Sequence, residues 1–225
     1  MIDGKTIVLV LPAHNEERGL LAMLPKVPTC IDRVVVVDNL STDNTLKVAR
    51  HFGALIRWAI LKKGYGYTLK CGFHAVRDDI IVAMDADDTY PLDEVERCVH
   101  FLLDNDLDFV SCSRFPLKDK NSMKPLNHVG NRFLTMVANE LFGLGLHDIT
   151  SGMWVFRRWL TPHIIWLSSN MTFTIDIKLM ANCISAIDFG ETYISYRPRI
   201  GEVKQKWLRD GFKYLWTLIK MRCER

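Results

Sequence analysis

Short, almost continuous runs of Val, Ile and Leu alternate with longer amphipathic stretches through the first half of this 225-residue chain. Residues 6–11, 33–37, 55–60, 80–84 and 108–111 have the length and β-branched content of strands covered on both faces. Between them, residues 16–24, 42–52, 65–76 and 92–103 read as helices. Ser41, Thr42 or Asp43, and the Thr89–Pro91 stretch, supply helix-start chemistry ahead of two of these. Regular strand–helix alternation predicts an α/β fold: a mostly parallel central sheet, right-handed crossovers and flanking helices. The second half differs. Residues 127–146 form an amphipathic helical stretch, and residues 153–156 and 187–196 read as further strands. Leu208, Phe212, Leu215 and Ile219 then recur at helical spacing, with Trp207, Tyr214 and Trp216 interleaved among basic residues.

The polar residues that interrupt the apolar runs fall at corresponding places. Pro12 to Glu17 follows the first strand, Asp38-Asn39 ends the second, and Lys63-Gly64-Tyr65-Gly66 follows the third. Asp85 to Asp88 ends the fourth, and Ser113-Arg114 the fifth. Ligands of open α/β sheets bind beyond the carboxyl ends of the strands, so these five clusters should share one crevice.

Asp85 and Asp87 are the sharpest chemical signal. Carboxylates at the end of a buried strand repel each other and lose hydration, so they require a proton or a cation. Two residues apart on extended chain, they leave the same face. Two hard oxygen donors suit Mg²⁺ or Mn²⁺ completed by phosphate oxygens and water, which implies a phosphorylated substrate. An arbitrary D-x-D is more often a solvated helix cap; the preceding strand and the four sister clusters argue against that here. The string Asp85-x-Asp87-x-Thr89 also opens phosphatases of haloacid-dehalogenase type, whose first Asp is a nucleophile. There it ends the first core strand, whereas three strand–helix units precede it here. Asp38 can accept hydrogen bonds from a nucleobase or ribose. Gly64 and Gly66 either admit a phosphate or make a turn. Arg114, Arg132, Arg199 and Lys204 are candidate phosphate contacts.

Composition narrows the class. A hydrophobic share of 48% suffices for a core. The six cysteines contain no Cys-x-x-Cys pair, as in a reduced cytosolic chain. No run reaches the roughly 18 apolar residues of a membrane span, and no secretory signal is read at Met1. Neither a G-x-G-x-x-G nor a P-loop string occurs, against a dehydrogenase or P-loop enzyme. The net charge of +3 divides into +6 over residues 197–225 and −3 elsewhere. A basic amphipathic end with aromatic anchors suits an anionic membrane surface. The alternative packs this helix on the sheet or in a homo-oligomer interface. Nothing points to nucleic acid.

Together these motifs carry a resemblance. Pro12-x-x-Asn15-Glu16, Val37-Asp38-x-x-Ser41-x-Asp43-x-Thr45, Asp85-Ala86-Asp87 with Tyr90-Pro91, Ser113-Arg114-Phe115, Ser151-Gly152 and Arg197-x-Arg199-x-Gly201-Glu202-x-Lys204 follow the order of the family-2 glycosyltransferases of GT-A fold. Among these the chain most resembles the polyprenyl-phosphate transferases of dolichol-phosphate mannose or glucose synthase type. The resemblance implies a GT-A (Rossmann-like) domain over residues 1–203 and a C-terminal amphipathic helix over 204–225. It implies a metal-dependent, inverting enzyme. This enzyme would move a sugar from a GDP- or UDP-linked donor to a dolichyl or undecaprenyl phosphate at the cytoplasmic membrane face. Pro12, Asn15, Glu16, Asp38, Gly64 and Ala86 would lie on the donor side, with Asp85 and Asp87 on the metal. Arg114, Arg132, Ser151, Arg199 and Lys204 would face phosphates. A sugar-hydroxyl acceptor would need a base, for which Asp148 and Asp176 are the candidates. A non-catalytic sugar-nucleotide-binding protein is the other class left open.

Overall fold

The computed structural model describes residues 1–200 and 207–223, with only the backbone described for 207–210. A seven-stranded sheet lies at its centre. Its strands are β1 (Ile7–Ala13), β2 (Arg33–Asp38), β3 (Leu55–Trp58), β4 (Ile80–Ala83), β5 (Phe109–Ser113), β6 (Trp154–Arg157) and β7 (Phe189–Tyr193), in spatial order β3-β2-β1-β4-β6-β5-β7. Among the described residues β6 alone is reversed, antiparallel to β4 and β5, while β7 pairs parallel with β5. This is the mostly parallel α/β sheet that the apolar runs predict.

The helices are α1 (Glu17–Met23), α2 (Thr45–His51), α3 (Tyr65–Ala75), α4 (Val95–Asp104), α5 (Pro125–Phe142), α6 (Thr161–Ile164), α7 (Phe173–Cys183) and α8 (Trp207–Cys223). The strands feed both faces of the sheet. Ile7, Leu9 and Leu11 of β1 join Ile80 and Val82 of β4 in one core layer. Val8 and Val10 join Ile81 and Ala83 in the layer on the other face. Continuous apolar character thus reflects burial on two sides.

α2 begins three residues later than the periodicity suggests. The Asp43 carboxylate accepts from the Thr45 backbone N–H at 3.0 Å, and the residues before it form a turn. α6 and α7 carry no amphipathic signature. α7 is buried nearly all round, from Phe173 to Leu179, so no polar stripe marks it.

α5 ends at Gly143, whose φ of 67° is the left-handed closure that glycine adopts without strain. α8 returns across α5. Its Tyr214 and Leu218 are buried in a third cluster with Leu134, Ala138, Ile149, Ile175 and Leu179. The segment expected as an appended unit is therefore packed into the domain. No described helix is long and apolar enough to cross a membrane.

Candidate active site

Beyond the carboxyl ends of β1, β2 and β4, three turns place a non-glycine residue in the left-handed region: Asn15 (φ 53°), Leu40 (φ 62°) and Asp88 (φ 60°). Such conformations persist where surrounding bonds over-determine them. Asn15 Oδ1 accepts from the Thr42 N–H at 2.7 Å, and Ser41 Oγ accepts from the Asn15 N–H at 2.9 Å. The Asp38 carboxylate accepts from the Ser41 N–H at 3.3 and 3.4 Å. Asp87 Oδ1 accepts from the Thr89 hydroxyl at 2.6 Å, and Lys26 holds Asp88 at 2.8 Å. These bonds fold the loops back from the sheet and open a cavity of about 620 Å³.

Pro12, Glu16, Gly64, Asp85, Ala86, Asp87, Arg114 and Arg199 line this cavity. These come from the ends of β1, β3, β4 and β5 and from the 194–200 segment, and Asn39 adds the end of β2. Asn15 and Asp38 stand behind the wall as the groups that fix the loop junction. Ser151 is buried, its hydroxyl donating to the Cys112 carbonyl at 2.5 Å. Arg132 lies apart, on the exposed side of α5 beside a shallow depression with His147 and Tyr193. Lys204 lies outside the described residues.

The acidic end is held by Tyr65, a neighbour that no motif announced, and is bordered by the Tyr90 and Gly152 of the quoted motifs. The Tyr65 hydroxyl donates to Asp85 Oδ1 at 2.8 Å. Tyr90 accepts from the Gly152 N–H at 2.6 Å. A Cβ on Gly152 would stand 3.0 Å from the Tyr65 hydroxyl and 3.4 Å from Asp85 Oδ2. Gly19 lets α1 press on this loop, for a Cβ there would strike the Ala86 carbonyl. Gly64 and Gly66 give close approach to the backbone of Ser168 and Ser169, and the Gly66 and Tyr67 N–H groups donate to the carbonyls of Asn170 and Ser169. Here the glycines serve chain packing. Burial, together with the charge of Asp87, pushes the Asp85 carboxyl up to about 7. Arg199 pairs with Asp87 at 2.9 Å and faces Glu16 at 3.9 Å. Its pKa is raised: burial opposes the charge, and Asp87, Asp85 and Glu16 outweigh it.

The opposite wall is an ion-pair network. Arg114 Nε and Nη2 donate to Asp148 at 2.6 and 2.9 Å, and Nη2 also donates to Thr150. Lys178, on α7, donates to the Asp148 carbonyl at 2.6 Å. Burial alone would raise the Asp148 carboxyl, but Arg114 and Lys178 pull it below its ordinary value. A fully buried carboxylate held in this fork is spent as an acceptor and is not placed to act as a base. Asp176 is buried among Ser168 and Lys70 and does not line the cavity. Lys63, Lys213 and Tyr214 complete the wall, the last two reaching in from α8. Only the packing of α8 on α5 brings that pair here.

Among the described residues, no group of three or more His, Cys, Asp or Glu side chains could hold a metal alone. The donor set fits a smaller demand. Asp85 and Asp87 form a strained anionic pair that a cation relieves, and Mg²⁺ or Mn²⁺ is commonly bound by one or two carboxylates plus substrate phosphates.

A mostly parallel sheet with this loop arrangement is that of the GT-A glycosyltransferases. Glucosyl-3-phosphoglycerate synthase from Mycobacterium tuberculosis, solved with Mn²⁺, UDP and glucosyl-3-phosphoglycerate, has a TM-score of 0.75 at 20% identity, covering 98% of this chain and 81% of that one. The same protein solved with Mg²⁺ and UDP gives 0.76 at 20% identity, covering 98% and 80%.

The family model described as Glycosyl transferase family 2 matches residues 8–164, and the chain belongs to this family. The low-salt glycan biosynthesis hexosyltransferase Agl6 of Haloferax volcanii is 33% identical over 217 residues, 93% of this chain; the match spans 52% of Agl6, about half its length. The dolichyl-phosphate hexose transferase of the same organism is 31% identical over 221 residues, 97% of this chain and 94% of the relative. The protein is accordingly a glycosyltransferase, and the phosphatase reading of Asp85 falls.

Proposed function

We propose that this enzyme transfers a hexose from a GDP- or UDP-linked donor to a polyprenyl phosphate, with inversion at the anomeric carbon. The balance of charges in the cavity carries this reading. Its acids are Glu16, Asp85 and Asp87, of which Asp87 is paired with Arg199 and Asp85 is bonded to Tyr65. Its cations are Lys63, Arg114, Arg199 and Lys213. These four groups, with Arg114 paired to Asp148 and Arg199 to Asp87, offer hydrogen bonds and charge to two phosphorylated substrates held close together. A lipid phosphate is already ionised at neutral pH and needs no base to become a nucleophile.

The acceptor phosphate oxygen forms the new bond to the anomeric carbon as the bond to the donor diphosphate breaks. The nucleoside diphosphate leaves with the electron pair. A Mg²⁺ or Mn²⁺ ion held by Asp85 and Asp87 would neutralise the diphosphate. Arg199 meets the same charge, and its Nε is a buried donor without a hydrogen-bond partner among the described residues. Arg114, fixed by Asp148, is a preorganised hydrogen-bond donor that costs no reorganisation during reaction. Pro12, Gly64 and the loop junction of Asn15 and Asp38 shape the nucleoside end, and Ala86 brings backbone between the two carboxylates.

The acceptor also suggests where the enzyme works. α5 exposes Leu126, Val129, Phe133 and Met136, and α8 exposes Phe212, Trp216 and Ile219. Lys213 and Tyr214, between those aromatics, line the cavity. This is the amphipathic arrangement of a peripheral protein on an anionic bilayer. The free cysteines suit its cytoplasmic face.

The test is transfer from radiolabelled GDP- and UDP-sugars, with Mn²⁺, to a short polyprenyl phosphate, to its dephosphorylated alcohol and to phosphoglyceric acid. Product from the polyprenyl phosphate alone is expected. Product from phosphoglyceric acid alone would replace this reading with that of the structural neighbour. Phe212→Ser with Trp216→Ser should reduce co-sedimentation with anionic vesicles while leaving transfer to the short acceptor intact.

A further inference from the structure

Lys178 is fully buried, an uncommon place for an ammonium, and no step described above uses it. Its position explains a deficit in the cavity wall. Arg114 is engaged bidentately by Asp148, so a full negative charge lies against the guanidinium and cancels most of its field. An arginine neutralised in this way presents hydrogen-bonding edges to an anion but little net charge. Lys178 sits behind the same pair, bonded to the Asp148 carbonyl. Arg114, Asp148 and Lys178 sum to one positive charge, which the Glu191 carboxylate facing Lys178 balances, so without the Lys178 charge this end would be net negative in a surrounding that screens weakly.

We propose that Lys178, sealed behind the wall, supplies the positive potential that this end of the cavity presents to a phosphate, making good the charge that Asp148 takes from Arg114. Lys178 is thus a positioning residue, acting on substrate through the field of the network. The inference rests on reading the cavity as an anion site.

The groups facing Lys178 are Asp148 in the 143–153 loop, Glu191 on β7, and Arg114 and Cys112 at the end of β5. Glu191 is occupied by the His147 ring and by the backbone N–H groups of His147 and Asp148. Cys112 is kept as a thiol by its hydrogen bond with Cys98 and by burial. Burial, offset in part by Asp148, brings the Lys178 ammonium down to about 8. Its charge is therefore present at pH 7 and mostly gone at pH 9.

Inorganic pyrophosphate, measured by calorimetry on the full chain in EDTA and low salt, is the probe. Lys178→Met removes both charge and hydrogen bond; Lys178→Gln removes the charge and keeps a donor for Asp148. At pH 7 both variants should bind about tenfold more weakly than wild type, the order of effect of one charge at an effective dielectric near 20. At pH 9 the ratio to wild type should approach one, and using the ratio cancels the titration of pyrophosphate itself. Lys178→Met should unfold at a lower temperature than wild type, because the buried Asp148 carbonyl loses its donor, and Lys178→Gln, which keeps a donor, should lose less. Wild-type affinity in Lys178→Gln with loss only in Lys178→Met would assign the role to the hydrogen bond and overturn the proposal. A ratio unchanged from pH 7 to pH 9 would overturn it as well. No pyrophosphate binding by wild type would overturn the anion-site reading together with it.

Discussion

At the β1, β2 and β4 end of the cavity, some polar side chains close their own turns, while others tie one loop to the next. Asp87 folds onto Thr89 two residues away, and Asp38 onto Ser41 three residues away. At the β5 end the bonds are long in sequence. Arg114 reaches Asp148 across 34 residues, and Lys178 reaches it across 30. Lys213 and Tyr214 arrive only through α8. The first end is a set of strand-end turns tied to one another by single bonds, Asn15 to Thr42, Lys26 to Asp88 and Tyr65 to Asp85. The second is a buried charge network whose members have no meaning singly. The first therefore loses chemistry when a side chain changes, whereas the second loses stability and field.

The largest effect expected from that contrast is in Asp87→Asn. The amide can still accept from Thr89, but the charge that would hold a metal is lost. Several kcal/mol of charge stabilisation should go, a fall of at least about a thousandfold in kcat/KM, with the unfolding temperature nearly unchanged. A fall under tenfold would place the chemistry elsewhere.

Removal of residues 207–225 should act oppositely. Exposing the Leu134–Ile149 cluster and losing buried Tyr214 and Leu218 should cost about 3–6 kcal/mol in urea unfolding. Activity on a water-soluble prenyl phosphate should fall too, because Lys213 and Tyr214 leave the cavity wall. Wild-type activity in the truncated chain would show that α8 serves only as an attachment.

The two ends also answer pH with opposite sign. Asp85 is held at about 7, so between roughly pH 4 and pH 7 the folded metal-free protein binds a proton that the unfolded chain has released. Stability contributed there falls as pH rises through that window, by up to about 2–4 kcal/mol, and Asp85→Asn should flatten the fall. Asp148 has a lowered pKa. Its contribution is present above the ordinary carboxylate range and is lost as pH falls below it. Thermal melts from pH 3 to pH 8 on wild type, Asp85→Asn and Asp148→Asn would separate the two.

The smallest effects come from a pair of glycines. Gly19→Ala should lose about 1–3 kcal/mol, since the new methyl meets the Ala86 carbonyl and must push α1 off the Asp85–Asp87 loop. Gly130→Ala in α5 meets nothing within 4 Å and should gain about 0.5–1 kcal/mol from helix propensity. Equal changes in the two would mean that α1 does not press on the loop.

These differences also explain what could be read in advance. Four of the five strands declared themselves because two-sided burial demands apolar runs. β3, read the same way, is an exposed edge strand, with Leu55 48% and Trp58 55% exposed. The cavity declared itself because polar residues stop those runs at the same end. Arg114 and Asp148 were both singled out, but as a phosphate contact and a base. Their pairing across two chain segments left no local pattern. Arg132 was read as a candidate phosphate contact and lies elsewhere, because helical position on α5 turns it outward. Tyr65 stood between two glycines, a spacing that marked the turn without revealing its bond to Asp85.

Alone, the sequence determined the family, the parallel sheet and the carboxylate pair at the end of β4, since each depends on periodicity or on residues a few positions apart. Only the tertiary structure decided which charges are spent on one another, that β6 runs backwards between β4 and β5, and that the last helix closes the cavity. Those outcomes depend on contacts between distant segments, whose energies of pairing and desolvation exist only once the chain has brought them together.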